Sequence, residues 1–452
     1  MTFHNFITSI VIKIAQKLGL KINEKPHITD DYNNTSSISL TATIANRVAT
    51  LTVMDSSIDI IGDSVRASYL KKFVNDTIID KIAIAAEVSL GVGDVLLKPY
   101  TDGERIGIDI IPNENFYICE CCGDFIKSCI IKCEEIHKHN GSVFERYETQ
   151  RLKTVTLENG TKLSAVFIYQ TAYINGVEHP LADIPEWAEI PPETVIPNVE
   201  HLIFGRIKCP TINRDNVNGV NGVPITYGLD SVMQNAVKAY NRFNDEYERK
   251  ESFIFADKTL FKKDKDNNTI IPNGKNRIFM LLPHAANGEG TDNLIREYSP
   301  DIRDESLISG IEQNFKMLEM MAGLSSGILS QPTTNYATAT EMKASLQLTF
   351  AYITRFRRSI TQCVYSLINS IDILLNTMES VPIGDFNVSV DWSSAYIENL
   401  TEQYTRLIQA EAIGAVSKAE VRAWLLDETL DVASAKVEEI QKNSKNDLTN
   451  SS

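Results

Sequence analysis

The 452-residue sequence predicts an α+β fold in which long helices flank a β-rich middle. Three observations carry this expectation. Two segments, 228–251 and about 302–322, repeat apolar residues at alternating spacings of four and three, the seam of a long packed helix. Residues 115–180 are cut into short segments by Asn140-Gly141, Asn159-Gly160 and Asn175-Gly176, the dipeptide favoured in tight hairpin turns. A further helical stretch from about 339 to 378 is followed by one strand-like segment, "DFNVSVDW".

Taken in chain order, the N-terminal "FHNFITSIVIKIAQKLGL" is apolar with Lys13 and Lys17 at helical spacing. It has neither a basic leader nor a small-residue cleavage site, so an amphipathic helix packed on its own protein is expected, not a signal peptide. Residues 1–90 read as mostly helical, and "SYLKKFVNDTIIDKIAIAAEVSLG" keeps a 3.6-residue period up to Gly91. A strand, a turn at Asp102-Gly103 and a second strand ending at Pro112 come next. The pair Gly91-x-Gly93 lacks a third glycine and precedes a strand, which argues against a phosphate loop. An antiparallel meander fills 115–180, and the proline-rich "HPLADIPEWAEIPPETVIP" is expected to break regular structure.

The helix over 228–251 places Leu229, Met233, Ala236, Tyr240, Phe243 and Tyr247 in one seam. Strands in "SFIFADKTLF" and "RIFMLLP" flank a polar loop, "KKDKDNN". The next seam helix aligns Ile308, Ile311, Phe315, Leu318 and Ala322 and stops at Gly323. Residues 324–340 are small, polar and uncharged. Towards the end, Ser417 and Glu420 have the spacing of a capping box, and 441–452 is a polar tail expected to fray. Two seam helices around a β-rich tip suit packing against neighbouring copies in a closed ring, or against each other within one chain; the pattern permits both.

Composition narrows the chemistry. The net charge of −15 excludes a protein that holds nucleic acid tightly through a basic surface, although DNA that slides past is compatible with it. No window of about 18 apolar residues spans a membrane. Seven cysteines without a secretion signal point to free thiols in a reducing compartment. Five of them lie in "CECCGDFIKSCIIKCEEIHKH", Cys119 to His139. Cys119-x2-Cys122 and Cys129-x3-Cys133 have zinc-knuckle spacing, but the gap between them is too short for a zinc ribbon. The strand pattern around Phe125, Cys129, Ile131 and Cys133 sets the latter two cysteines about 13 Å apart. Small buried hydrophobes in a meander are the expected role, with no metal and no cofactor. No P-loop, H-E-x-x-H or G-x-S-x-G motif is present, so catalysis is not expected.

In serial order the segments resemble the portal, or head–tail connector, proteins of tailed bacteriophages, in particular those of siphophage and myophage prophages of Gram-positive bacteria. The likeness covers about 40–440 and rests on "GVGDVLLKPYTDGERIGIDIIPNENFYI", "YSPDIRDESLISGIEQNFKMLEMMAGLSSGIL", "TATEMKASLQLTFAYITRFRRSI" and "VSVDWSSAYIENLTEQYTRLIQAEAIGAVSKAEVRAWLL". The resemblance implies a wing over 1–225, a first stem helix over 226–251, a clip over 252–300 and a second stem helix over 301–323. It further implies a tunnel loop over 324–341, the long wing helix and strand over 342–395, and crown helices over 396–440. A ring of about twelve subunits is implied, located in the virion at the capsid vertex after assembly in the host cytoplasm. Double-stranded DNA would pass through it. The terminase large subunit, the major capsid or scaffolding protein and a head–tail adaptor would dock on it. Leu229, Met233, Tyr240, Phe243, Ile308, Ile311, Phe315 and Leu318 would pack the stem between subunits. Ser330, Gln331, Thr333, Thr334, Asn335, Tyr336, Thr338 and Lys343 would line the DNA channel, with pairing to Glu341 or to a neighbouring subunit the equal alternative for Lys343. Arg355, Arg357 and Arg358 would make intersubunit salt bridges or touch DNA. Two other readings stay open: a structural oligomer of a defective phage-like particle without DNA, and a zinc-binding enzyme centred on Cys119–His139.

Overall fold

The computed structural model describes residues 3–22, 38–54, 56–103, 105–139, 141–156, 162–249, 253–257, 279–282, 295–298, 303–331, 339–378, 380–392, 407–426, 429–430 and 432–437. Within them the chain is α+β, with helices and mainly antiparallel sheets.

Helix α1 (Phe3–Lys17) buries Ile7, Ile10, Val11 and Ile14 against Tyr117, Ile130, Tyr147 and Tyr173 of the sheet. Its apolar stripe is thus covered by the protein itself, as its amphipathic spacing requires. On the polar side the Lys13 ammonium donates to the Gly176 carbonyl at 3.2 Å, and Lys17 pairs with Glu178. None of the described helices is long and apolar enough to cross a membrane.

Helix α2 (Leu40–Val53) starts at Ser39, whose hydroxyl accepts from the Ala42 amide. Strand β1 (Ser56–Ile61) then interrupts a region that the sequence reads as helical. Six residues of alternating burial are too few to outweigh the helical periodicity on both sides, and the partner strand lies more than 300 residues away. Helix α3 (Val65–Phe73), a π-helical turn over Val74–Ile78 and helix α4 (Ile79–Val92) form one helical run. It stops at Gly93 rather than Gly91. Gly93 has φ 98°, and a Cβ there would lie 2.6 Å from the Val223 backbone. This glycine therefore ends a helix at a close chain crossing, which accounts for it without a phosphate.

Strands β2 (Asp94–Thr101) and β3 (Ile106–Pro112) pair as the expected hairpin. The meander follows: β4 (Phe116–Cys122), β5 (Phe125–His137), β6 (Val143–Thr156), β7 (Lys162–Ile174) and β8 (Val177–His179), hydrogen-bonded in that order. Asn175 (φ 48°) and Gly176 (φ 79°) form the tight turn between β7 and β8 that their dipeptide announces. The proline-rich stretch is not wholly irregular. Its last five residues form β9 (Glu193–Pro197), which pairs with β7 beside β8. Proline is tolerated there because β9 is an edge strand with one unpaired side. Strand β10 (Gly205–Lys208) completes a three-stranded sheet by pairing with β2.

Helix α5 (Asp230–Arg249) leads to β11 (Phe253–Asp257), which pairs in parallel with β12 (Phe279–Leu282) and antiparallel with β13 (Ile295–Tyr298). The polar loop predicted between β11 and β12 lies outside the described residues. Helix α6 (Asp304–Met321) follows, then α7 (Ala339–Met378), about 60 Å long at 1.5 Å per residue. Strand β14 (Asn387–Trp392) pairs antiparallel with β1. Helix α8 (Lys418–Leu426) carries the predicted capping box in both directions: the Glu420 amide donates to the Ser417 hydroxyl at 3.2 Å, and the Ser417 amide to the Glu420 carboxylate at 2.7 Å.

The largest core surrounds the middle of α7, where Phe356, Ile360, Val364, Leu367 and Ile371 are fully buried among α2, α4, β2 and β10. Arg66 on α3 fastens the far end of α7. Its guanidinium, 1 % exposed, donates to the Asp372 carboxylate at 2.9 Å, the Asn376 side chain at 2.9 Å and the Val381 and Pro382 carbonyls at 2.7 and 3.1 Å. Arg66→Ala would leave these acceptors without their donor. A loss of about 2–3 kcal/mol is expected in denaturant unfolding. A loss below about 0.5 kcal/mol would show that water replaces the guanidinium freely.

The cysteines separate into different cores. Cys129 is buried with Phe116, Ile118 and Ile131, with Cys121 and Cys133 at the margin, whereas Cys119 lies in the core under α1. Cys122 is exposed. Burial pushes the Cys119 thiol up to about 12 and the Cys133 thiol to about 11, the latter against the pull of nearby Lys98. The thiols of the cluster are thus spread over two cores and an exposed position.

Candidate subunit-packing and channel-loop site

The two seam helices meet within one chain at their inner ends. Leu229, Met233 and Ala236 at the start of α5 are buried with Leu318 of α6, and Val232, Val237, Phe315 and Ala322 pack around them. Further out the seam opens. Tyr240, Phe243 and Ile311 are half-buried, and Ile308 and Tyr247 are exposed. The Phe243 and Tyr247 rings meet edge to face at 4.8 Å, and Arg303 makes two bonds to Glu246 at 3.1 and 3.2 Å. Of the eight residues expected to pack the stem between subunits, Leu229, Met233 and Leu318 therefore lie in the chain's own core. The far side of α6, which the sequence reading did not select, exposes Met317, Met320 and Met321 at 48, 66 and 45 %. Three exposed methionines on one short face form an adaptable apolar surface.

At the end of α6 the chain turns at Gly323 (φ 74°) into the segment Leu324–Gln331. Glu319, fully buried on the last turn of α6, organises it. One carboxylate oxygen accepts from the backbone amides of Gly327 at 3.2 Å, Ser330 at 2.9 Å and Leu329. The other accepts from the Ser330 hydroxyl at 2.8 Å. A charge can be buried when its oxygens are saturated in this way. Two turns earlier, the half-buried Glu312 accepts from the Gln331 amide at 3.1 Å. Arg47 of α2 donates to the Ile328 carbonyl, and the Ser325 amide donates to the Thr349 hydroxyl of α7 at 2.8 Å. The root of the loop is thus fixed to α2, α6 and α7 together.

This places the predicted channel residues. Ser330 is buried, with its hydroxyl directed at Glu319, and Gln331 is exposed. Thr333, Thr334, Asn335, Tyr336 and Thr338 fall outside the described residues, and Lys343 lies on the first turns of α7. The arginines of α7 divide: Arg357 donates to the Thr52 carbonyl at 3.2 Å and sits 5.1 Å from the Trp392 ring, whereas Arg355 and Arg358 are exposed. Among the described residues no group of three or more His, Cys, Asp or Glu side chains could hold a metal ion.

A helix pair packed at its base and joined to a carboxylate-pinned loop stands on an α+β body, a scaffold held by packing and hydrogen bonds. The chain belongs to the phage portal proteins: the family described as "Phage portal protein, SPP1 Gp6-like" matches residues 23–449. No protein of curated function matches the chain.

Proposed function

We propose that about twelve copies of this chain close into a ring at one capsid vertex, with a channel through which double-stranded DNA enters and leaves. The carrying observation is the match to the portal family across nearly the whole chain. In this reading 1–225 is the wing, α5 and α6 are the stem, 252–300 is the clip and 396–440 the crown. The terminase large subunit, the major capsid or scaffolding protein and a head–tail adaptor are the docking partners. The half-open outer seam at Tyr240, Phe243, Ile308 and Ile311 and the methionine face of α6 supply apolar surface for neighbouring copies.

Charge supports passage over capture. A ring of chains at −15 each repels phosphate and keeps DNA from settling in the channel. The uncharged side chains of Gln331, Thr333, Thr334, Asn335, Tyr336 and Thr338 touch the duplex without holding it, and Lys343 is the one cation of the contact set.

Mass photometry of the full chain under assembly conditions is expected to return a large cyclic oligomer; monomers or dimers alone would overturn the reading. Deleting 332–338, which spares the Glu319 cradle, is expected to leave the ring count unchanged and to impair packaging or retention of DNA. Wild-type packaging by that deletion would remove the loop from the function. A DNA-free phage-like particle is separated by assaying particles that carry the protein for packaged DNA.

A further inference from the structure

A cavity of about 540 Å³ opens between α7, β10, the segment 209–221 and the turn joining β4 to β5. Its walls combine two chemistries. Lys208 is paired at 3.3 Å with Asp124 on the same wall, so the excess positive charge comes from Arg355 and Arg358, in a chain whose net charge is −15. Phe125, Ile212 and Val217 at its margin are 45, 61 and 76 % exposed. The walls are fixed to each other, because the Lys208 amide donates to the Ser359 hydroxyl on α7 at 2.8 Å. Cations beside exposed apolar side chains suit an acidic polypeptide with apolar residues better than a bare phosphate backbone, which has no use for the apolar margin.

The same chain carries a complementary surface. From Pro180 to Pro197 it has four carboxylates and neither lysine nor arginine; Glu186 is paired with Lys138, which leaves Asp183, Glu189 and Glu193 to give the ledge its charge. This ledge is stapled by Leu181, Ile184 and Trp187, whose indole donates to Glu134 at 2.8 Å, and by the pairing of β9 with β7. It therefore has a set shape, while Asp183, Glu189, Glu193 and Val195 are exposed on it.

The two surfaces lie apart on one sheet. The cavity takes in the turn joining β4 to β5, and the ledge forms the β8–β9 edge; β4 and β8 are four strands apart, about 19 Å at 4.8 Å per strand. Unlike surfaces set apart on one copy are what a head-to-tail contact requires, and repetition of such a contact closes a ring. We infer that the basic cavity of one copy receives the acidic ledge of the next, so that the β-rich region, and not the helix pair alone, sets the order of subunits. This inference rests on the ring reading above.

The test is charge reversal on the full chain. Arg355→Glu with Arg358→Glu, and separately Glu189→Arg with Glu193→Arg, are each expected to cut the ring fraction by about tenfold or more near the assembly threshold, most strongly at low salt. Combining all four is expected to restore most of it. All four side chains are exposed, so thermal melts of the variants are expected to match the parent. Parent-like assembly by either pair, or no recovery in the combination, overturns the inference. So does a cavity variant that assembles normally but no longer joins a capsid or no longer retains DNA, which would assign the cavity to another protein or to DNA. If the unaltered chain forms no ring, the portal reading itself has failed, a different result from rings indifferent to these charges.

Discussion

A Glu148→Ala variant is expected to lose about 3–5 kcal/mol of folding stability, because it strands a buried ammonium. Lys98 and Glu148 meet at 2.8 Å where β2 packs on the meander, each less than a tenth exposed. Glu148 also accepts from Gln150 and Gln170, both at 2.8 Å, so its oxygens are saturated. Burial is the largest single influence and opposes both charges, yet the partner's charge together with the surrounding hydrogen bonds and charges outweighs it. The Lys98 pKa is raised above the ordinary lysine value and the Glu148 pKa is lowered below the ordinary carboxylate value. The signs fix the pH window. A carboxylate with a depressed folded pKa stabilises fully above its unfolded pKa of about 4.3 and loses that contribution as pH falls through the folded value. A lysine with a raised folded pKa stabilises below about 10.4 and loses the contribution as pH rises through its folded value. Neutral pH lies inside both limits. Thermal melts from pH 7 down to about 3 are therefore expected to fall more steeply for the parent than for Glu148→Gln, which has no carboxylate left to titrate. Parallel curves would mean that the pair contributes packing and not charge.

What the sequence disclosed and what it hid divide along one physical line. Short-range signals were legible: the Ser417–Glu420 capping box, the Asn175-Gly176 turn and the strand that carries Cys129 and Cys133. Each is decided within a few residues. Features settled by distant partners were not. Strand β1 exists because β14 pairs with it, and β9 because β7 offers an open edge despite the prolines. The seam periods of α5 and α6 were visible, but a helical period does not say whether its partner is the same chain or a neighbour. The structure divides it, with the inner ends packed internally and the outer ends left open. Glu319 was missed for the same reason. An acidic residue on a polar helix face reads as solvated, and its partners are backbone amides eight to eleven residues further on, which leave no mark in side-chain pattern.

That carboxylate carries the second large effect. Glu319→Ala would leave the buried Ser330 amide, the half-buried Gly327 and Leu329 amides and the Ser330 hydroxyl without their acceptor, while the helix itself would tolerate alanine well. Hydrogen exchange at the Leu329 and Ser330 amides is expected to rise by about 100-fold, equivalent to about 2.7 kcal/mol of local stability. Under the portal reading, DNA packaging should fall while the ring count stays unchanged, because the altered segment lies at the base of the channel loop. Glu319→Gln separates shape from charge. Its amide oxygen can take the three backbone donors, and its NH2 group can face the Ser330 hydroxyl with donor and acceptor exchanged. The glutamine variant is therefore expected to stay within a few-fold of the parent in exchange and to package DNA. Glutamine behaving like alanine would mean that the negative charge, and not the acceptor geometry, holds the root in place. Unchanged exchange in the alanine variant would mean that Arg47 and Thr349 suffice, and that the loop takes its direction from α2 and α7 instead of the stem.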